Sequence, residues 1–166
     1  VGFSIDVAKE SDVKVLYDLT VALAMYERKQ PEDIHVTEAA LRKWAFGPDR
    51  IFEALIARWD GEPVGMATYY TAFCGYLAAP LLYLEDMFVL PNHRGKGTGT
   101  AILQKLALIT KERGYCRMHL SVFNWNETAL RLYEHVGMTI RKEIFQARLD
   151  VENMDGLLSI DSPLNS

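Results

Sequence analysis

Leu84-Glu85-Asp86-Met87-Phe88-Val89-Leu90-Pro91-Asn92-His93-Arg94-Gly95-Lys96-Gly97-Thr98-Gly99-Thr100 decides the fold, because an apolar strand empties into glycines that open a long helix. A helix start leaves up to four backbone N–H groups without partners and carries roughly half a positive charge. Such a junction suits an anionic phosphate. Gly95, Gly97 and Gly99 remove side chains that would hold a ligand off the backbone and permit positive φ, while Arg94 and Lys96 add positive charge. The turn ends in Thr98 and Thr100, so residues 94–100 form one candidate diphosphate cradle.

Spacing narrows the ligand. A nucleoside-triphosphate loop needs G-x-x-x-x-G-K-[ST], and here the lysine lies between glycines. A dinucleotide fingerprint begun at Gly95 or Gly97 needs glycine at position 100 or 102, which are Thr100 and Ile102. What remains, Arg94-x-x-Gly97-x-Gly99, resembles the [QR]-x-x-G-x-[GA] pyrophosphate loop of the GNAT superfamily of acetyl-CoA-dependent N-acetyltransferases. Asn126, Ala129, Tyr133 and Gly137 fit that family's N-x-x-A-x-x-x-Y-x-x-x-G pattern. The segment 83–89, Met118-His119, Trp125-Asn126-Glu127 and Tyr26-Glu27 resemble its spermidine/spermine branch, which also holds diamine and thialysine acetyltransferases.

The resemblance implies an α/β GNAT fold: a mixed central sheet flanked by helices, with a splayed central strand pair that binds acetyl-CoA as cosubstrate. It places the acetyltransferase domain over residues 1–150 and a tail over 151–166. It further implies that Phe88, Val89 and Leu90 bind pantetheine through their backbone, with one N–H stabilising charge that develops on the thioester oxygen.

Periodicity independently predicts alternating elements. Phe3–Val7 alternates like a strand, and Ser11 or Asp12 can cap a helix presenting Val15, Leu16, Leu19, Leu23 and Tyr26. A shorter helix over 39–45 ends at Gly47-Pro48. Residues 52–59 and 64–73 read as a hairpin around Asp60-Gly61, followed by a strand over 81–89, with 74–80 as loop. Ile102, Leu103, Leu106, Ile109 and Thr110 form a helical stripe ended at Arg113-Gly114. Strands are expected over 116–123 and 138–149, the second turning at Arg141-Lys142. Between them lies a helix capped by Asn126 and closed by Gly137.

The chemistry is governed by a proton. An alkyl ammonium with a pKa of about 10.4 leaves roughly one molecule in a few thousand neutral at pH 7, so the site must deprotonate the amine as well as orient it. Glu85, on the strand before the loop, reads either as that base or as a charge that attracts the ammonium. Asp86 shares the site only if the strand bulges, because neighbouring strand residues face opposite ways; otherwise it is a structural acid. Tyr133 is the candidate acid for the departing thiolate, against an ordinary core tyrosine. Asn126 reads as a pantetheine contact or a helix cap.

Glu27 and the Glu32-Asp33 pair extend a candidate acidic path for a cationic acceptor, with Tyr26 and Tyr70 as aromatic surfaces. The 74–80 loop departs from the polyamine branch, which places a tryptophan there, so diamines, thialysine-like amino acids and other small primary amines all stay in view. Acetylation of a protein or peptide amine, and an idle acyl-CoA-binding regulatory domain, are the other readings.

Composition sets the remaining bounds. The 166 residues suit one domain, and a net charge of -4 gives no general attraction to nucleic acid. No apolar run is long enough to span a membrane. Cys74 and Cys116 lack metal-ligand spacing and read as reduced thiols of a cytoplasmic protein, with Cys116 and Ser121 structural. His35, His93, His119 and His135 show no metal spacing, so no metal is expected. Relatives in the polyamine branch pair their subunits, so a homodimer is expected, with the apolar-rich segment 149–164 either a loose tail or a partner-contacting arm.

Overall fold

The structure, a computed structural model, describes residues 2–163. Its frame is a five-stranded mixed sheet in the order β1-β2-β3-β4-β5. Strands β1 (Phe3–Val7), β2 (Glu53–Trp59), β3 (Glu62–Cys74) and β4 (Ala79–Val89) form an antiparallel meander, and β5 (Met118–Leu120) runs parallel to β4. The parallel pair is joined through helix α3 (Thr98–Glu112), as a crossover requires.

Strand alternation sends two cores to opposite faces. Leu55, Ala57, Ala67, Leu82 and Leu84 pack with Ile102, Leu103 and Leu106 of α3. Ala54, Met66 and Phe88 pack instead with Leu16, Leu19 and Leu23 of α1 (Val13–Tyr26) and with Leu41 of α2 (Glu38–Leu41). One strand breaks its own parity: Leu82 and Leu84 face α3, whereas Phe88, an even number of residues further on, faces α1. The cause is a bulge in β4. Leu84 pairs with Tyr69 and Asp86 with Thr68, which leaves Glu85 as the extra residue. Pairing with β5 also stops at Leu84–Leu120, so the two strands part where the bulge sits.

Several local expectations need correction. Neither Ser11 nor Asp12 caps α1 through its side chain; a 3-10 turn over Glu10–Asp12 leads in, and the Asp12 carboxylate accepts from Lys9 N–H at 2.8 Å and from Arg58 at 2.7 Å. Helix α2 is one turn, capped by Thr37, and continues as a π-turn over Arg42–Phe46. The 74–80 loop contracts to a tight turn because β3 and β4 stay paired as far as Cys74 and Ala79.

The strand expected over 116–123 keeps only three paired residues, since the splay removes its partner beyond Leu120. The strand expected over 138–149 does not form: a turn occupies residues 142–143, no neighbouring strand among the described residues supplies a ladder, and Ile144, Phe145 and Leu149 are exposed. The tail carries a 3-10 turn over Val151–Asn153 and the short helix α5 (Met154–Leu158); its residues 164–166 lie outside those described.

Candidate active site

The parting of β4 from β5 opens a cleft of about 730 Å³, a volume ordinary for a small-molecule site. One wall is the bulged end of β4, including Phe88 and Val89; the other is Leu120 to Phe123, followed by Asn126, Ala129 and Tyr133 around α4 (Glu127–His135). Its floor is the start of α3, with Arg94, Gly95, Gly97, Thr98, Gly99 and Thr100. Ala101 N–H makes the first helical bond, to Gly97 O at 2.9 Å, so the N–H groups of residues 98–100 have no partner inside the helix. This is the donor arrangement that a diphosphate needs.

The glycines serve different ends. Gly97 caps α3 at φ 82°, in the left-handed region, with nothing within 4 Å of a built Cβ, so its role is conformational. At Gly99 a Cβ would come within 3.0 Å of Leu132 Cδ2 on α4, so its role is close helix packing that holds α4 over the cleft.

Arg94 is tied down rather than free. Its Nε donates to Val89 O at 2.9 Å, and its guanidinium lies 4.4 Å from the Tyr26 ring centre and 5.5 Å from that of Phe88. Two assigned residues fall outside the cleft wall. The Lys96 side chain does not line it, and Leu90 donates its N–H to Val64 O of β3 at 2.9 Å. N–H groups alternate in direction along a strand, so Val89, whose carbonyl is turned to Arg94 on the open side, also turns its N–H there. Of the three residues assigned to pantetheine, Val89 is therefore the one whose N–H faces the cleft, a distinction that strand register makes and sequence spacing does not.

The bulge brings both carboxylates together. Glu85 and Asp86 line this cleft and also an adjoining groove on the α1 side. Asp86 is the more enclosed and accepts from Thr68 Oγ1 at 3.2 Å. Burial pushes its carboxyl above the usual range, against the lowering effect of Thr68. Glu85 is raised by partial burial and then by the Asp86 charge, while a hydrogen bond with Tyr70 lowers it. Glu27, at the C-terminal end of α1, is raised by burial and again by Asp86. Three carboxyls thus crowd one point, whereas Glu32 and Asp33 line neither cavity.

Tyr133 is 6% exposed, and burial, with the Glu27 charge second, pushes its phenol up to about 12. A neutral phenol with a proton to give is what a thiolate leaving group requires. The helix that carries Tyr133 is fixed at both ends: Asn126 Oδ1 accepts from Ala129 N–H at 3.2 Å, and Met138 N–H donates to Tyr133 O at 2.9 Å beyond Gly137, whose φ is 90°. Asn126 is a cap that also lines the cleft.

Thr68, the partner of Asp86, escapes sequence reading, although pairing across the hairpin would have suggested it. The clustering of Trp125 with Tyr26 and Phe123 is likewise tertiary. His93 lies on the cleft wall, His119 is exposed on β5, and among the described residues no group of three or more His, Cys, Asp or Glu side chains converges as a metal site.

A bulged, splayed sheet with a phosphate cradle and a buried phenol defines an acyl-transfer site rather than a nucleotide-hydrolysing one. The family model of the GNAT acetyltransferases matches residues 13–138, and the chain belongs to that family. It is 34% identical over 138 residues to a thialysine N-epsilon-acetyltransferase of Bos taurus, covering 78% of this chain and 80% of that one. An L-ornithine N5-acetyltransferase of Arabidopsis thaliana is 29% identical over 116 residues, 70% of this chain and 46% of the plant protein. Among solved structures, a ribosomal-protein-alanine N-acetyltransferase from Brucella melitensis biovar Abortus superposes with a TM-score of 0.71 at 25% identity, covering 90% of this chain and 100% of that one.

Proposed function

We propose that this chain transfers the acetyl group of acetyl-CoA to a primary amine of a small cationic acceptor, by direct attack in a ternary complex. The observation that carries the reading is the shared wall: Glu85 and Asp86 face both the cleft and the groove beside it, so an amine held by them would stand next to a donor bound in the cleft. The names of the thialysine and ornithine relatives support an amine on a small molecule as acceptor.

In this reading the residues divide the work. Glu85 takes the ammonium proton, directly or through water, with Asp86 holding the cation. The neutral nitrogen attacks the thioester carbon, Val89 N–H stabilises the negative oxygen of the tetrahedral intermediate, and as the C–S bond breaks Tyr133 gives its proton to the departing thiolate and recovers one from the acetylated nitrogen. The N–H groups of residues 98–100, with Gly97 setting the turn, bind the diphosphate, and the Asn126 amide is available to pantetheine. No covalent enzyme intermediate is needed.

Tyr133→Phe tests the assignment: turnover falls about 10²-fold or more while acetyl-CoA affinity stays close to wild type. Calorimetric titration with steady-state thiol release measures both quantities, and unchanged turnover returns Tyr133 to a packing role.

The chain also works as a homodimer in this reading, in the cytoplasm, without nucleic acid or membrane as partner. Support comes from residues 144–157, where Ile144, Phe145, Val151 and Leu157 are all more than half exposed, a density of apolar surface that a second copy would cover. Light scattering that gives a monomer at working concentration defeats that part alone.

A further inference from the structure

The groove beside the donor cleft is chemically lopsided. It encloses about 530 Å³, and its walls are Leu41 of α2, Ile51 and Phe52 at the entry to β2, Thr20 of α1, and Thr68 and Tyr70 of β3. Among the described residues no basic side chain lines it, and the charges on its walls are those of Glu85 and Asp86, at the end shared with the cleft. Glu27 faces the cleft alone, and Glu32 and Asp33 face neither space.

The walls are held by backbone as well as by packing. Ile51 and Phe52 donate their N–H groups to Trp44 O at 2.8 and 3.4 Å, so the π-turn that extends α2 fixes the segment closing the groove. Tyr70 is stacked on Tyr83 at 5.1 Å and presents a rigid aromatic side to the same space.

A cation seated at Glu85 and Asp86 is therefore well matched, but a second cation further along the groove is left among Leu41, Phe52 and Ile51 with no counter-charge from the described lining residues. Taking that ammonium out of water without a partner is unfavourable, whereas an uncharged stem gains from leaving it. We infer that the acceptor is a primary amine on an uncharged, largely apolar stem, alkyl or aryl, and that linear polyamines are selected against by this groove. The inference rests on the amine-acetylation reading above and narrows its acceptor class.

The test compares hexylamine and 2-phenylethylamine with spermidine, by thiol release from acetyl-CoA, in the wild type and in Ile51→Glu. Ile51 is 65% exposed, so the substitution leaves the core intact while placing a carboxylate on the groove wall. In the wild type, kcat/KM for the two monoamines exceeds that for spermidine by about tenfold or more, and Ile51→Glu narrows the ratio by about tenfold, mainly through the KM of spermidine. Spermidine equal to or better than the monoamines in the wild type, or a ratio that Ile51→Glu leaves unchanged, overturns the inference and leaves amine acetylation standing. Thiol release with thialysine or ornithine but with none of the three overturns the inference alone, and release with none of the five overturns the amine-acetylation reading and this inference with it.

Discussion

The carboxylates of this protein fall into two groups that share a chemistry and differ in company. On the scaffold, Glu53 receives both terminal nitrogens of Arg113, at 2.6 and 2.9 Å, and Asp12 receives Arg58 at 2.7 Å. At the site, Glu27 and Glu85 both feel the charge of Asp86; Thr68 partners Asp86, Tyr70 partners Glu85, and Lys29 acts on Glu27 only as a nearby charge. Their titration diverges accordingly: Arg113 holds Glu53 below the ordinary carboxylate range, while burial and mutual repulsion hold the site group above it. The first arrangement is one of rest. The second is unfavourable until a cation arrives, which is the state expected of a receptor for an ammonium.

The strongest way to break this contrast is at Glu85. Glu85→Gln lowers kcat for a charged amine by about 10²-fold at neutral pH, with partial recovery at high pH, where the amine deprotonates in solution. A pH–rate profile decides the matter: a flat response with only a raised KM reduces Glu85 to charge attraction. Glu53→Gln, on the scaffold, leaves turnover within about twofold.

A smaller effect separates the groups by sign of stability. Glu53→Gln costs about 1 kcal/mol at pH 7. Because the folded carboxyl titrates below its unfolded value, that contribution is present above the unfolded value and is lost as pH falls through the folded one. Asp86→Asn does the reverse and gains about 1 kcal/mol at neutral pH. Its folded carboxyl titrates above the unfolded value, so ionising it costs stability as pH rises, and the gain disappears on acidification. Thermal melts of the two variants at pH 7 and pH 3 check both signs, and equal shifts would erase the distinction.

The mildest effect is ionic. The KM of a cationic acceptor rises about threefold between about 0.05 and about 0.5 M salt, because the site carboxylates act on it partly through solvent. The melting point contributed by the Arg113–Glu53 contact changes little, since that pair is bidentate and short. Salt-independent kinetics would detach the acidic cluster from acceptor binding.

How much of this was legible depended on where the controlling interaction lay. The strand–glycine–helix junction, the hairpin at Asp60-Gly61, the stripe of α3 and the Asn126 cap are local, and their spacing alone located them. The bulge at Glu85 was inferable only conditionally, since register is a property of two strands; Thr68 and Tyr69, seventeen and sixteen residues earlier, define it. The failure over 138–149 has the same origin. Its alternation suits a strand, but a strand exists by having a neighbour, and here none is offered among the described residues. Lys96 and Leu90 fall outside the cleft wall for a finer reason. Proximity to the loop says nothing about which way a side chain or an amide points.

The wedge between β4 and β5 gives the sheet an internal edge, and such edges breathe. Backbone groups of β4 beyond Leu84 on that side lack the ladder that protects the meander, so local opening is expected to begin there rather than at the outer strands. In the proposed reading a donor lying along that edge would stand in for the absent strand, and at one hundred times its dissociation constant it would stabilise the fold by about 2.7 kcal/mol. The resting protein thus keeps its working surface in the part of the sheet that exchanges with solvent most readily, and loading it with donor converts a seam into interior.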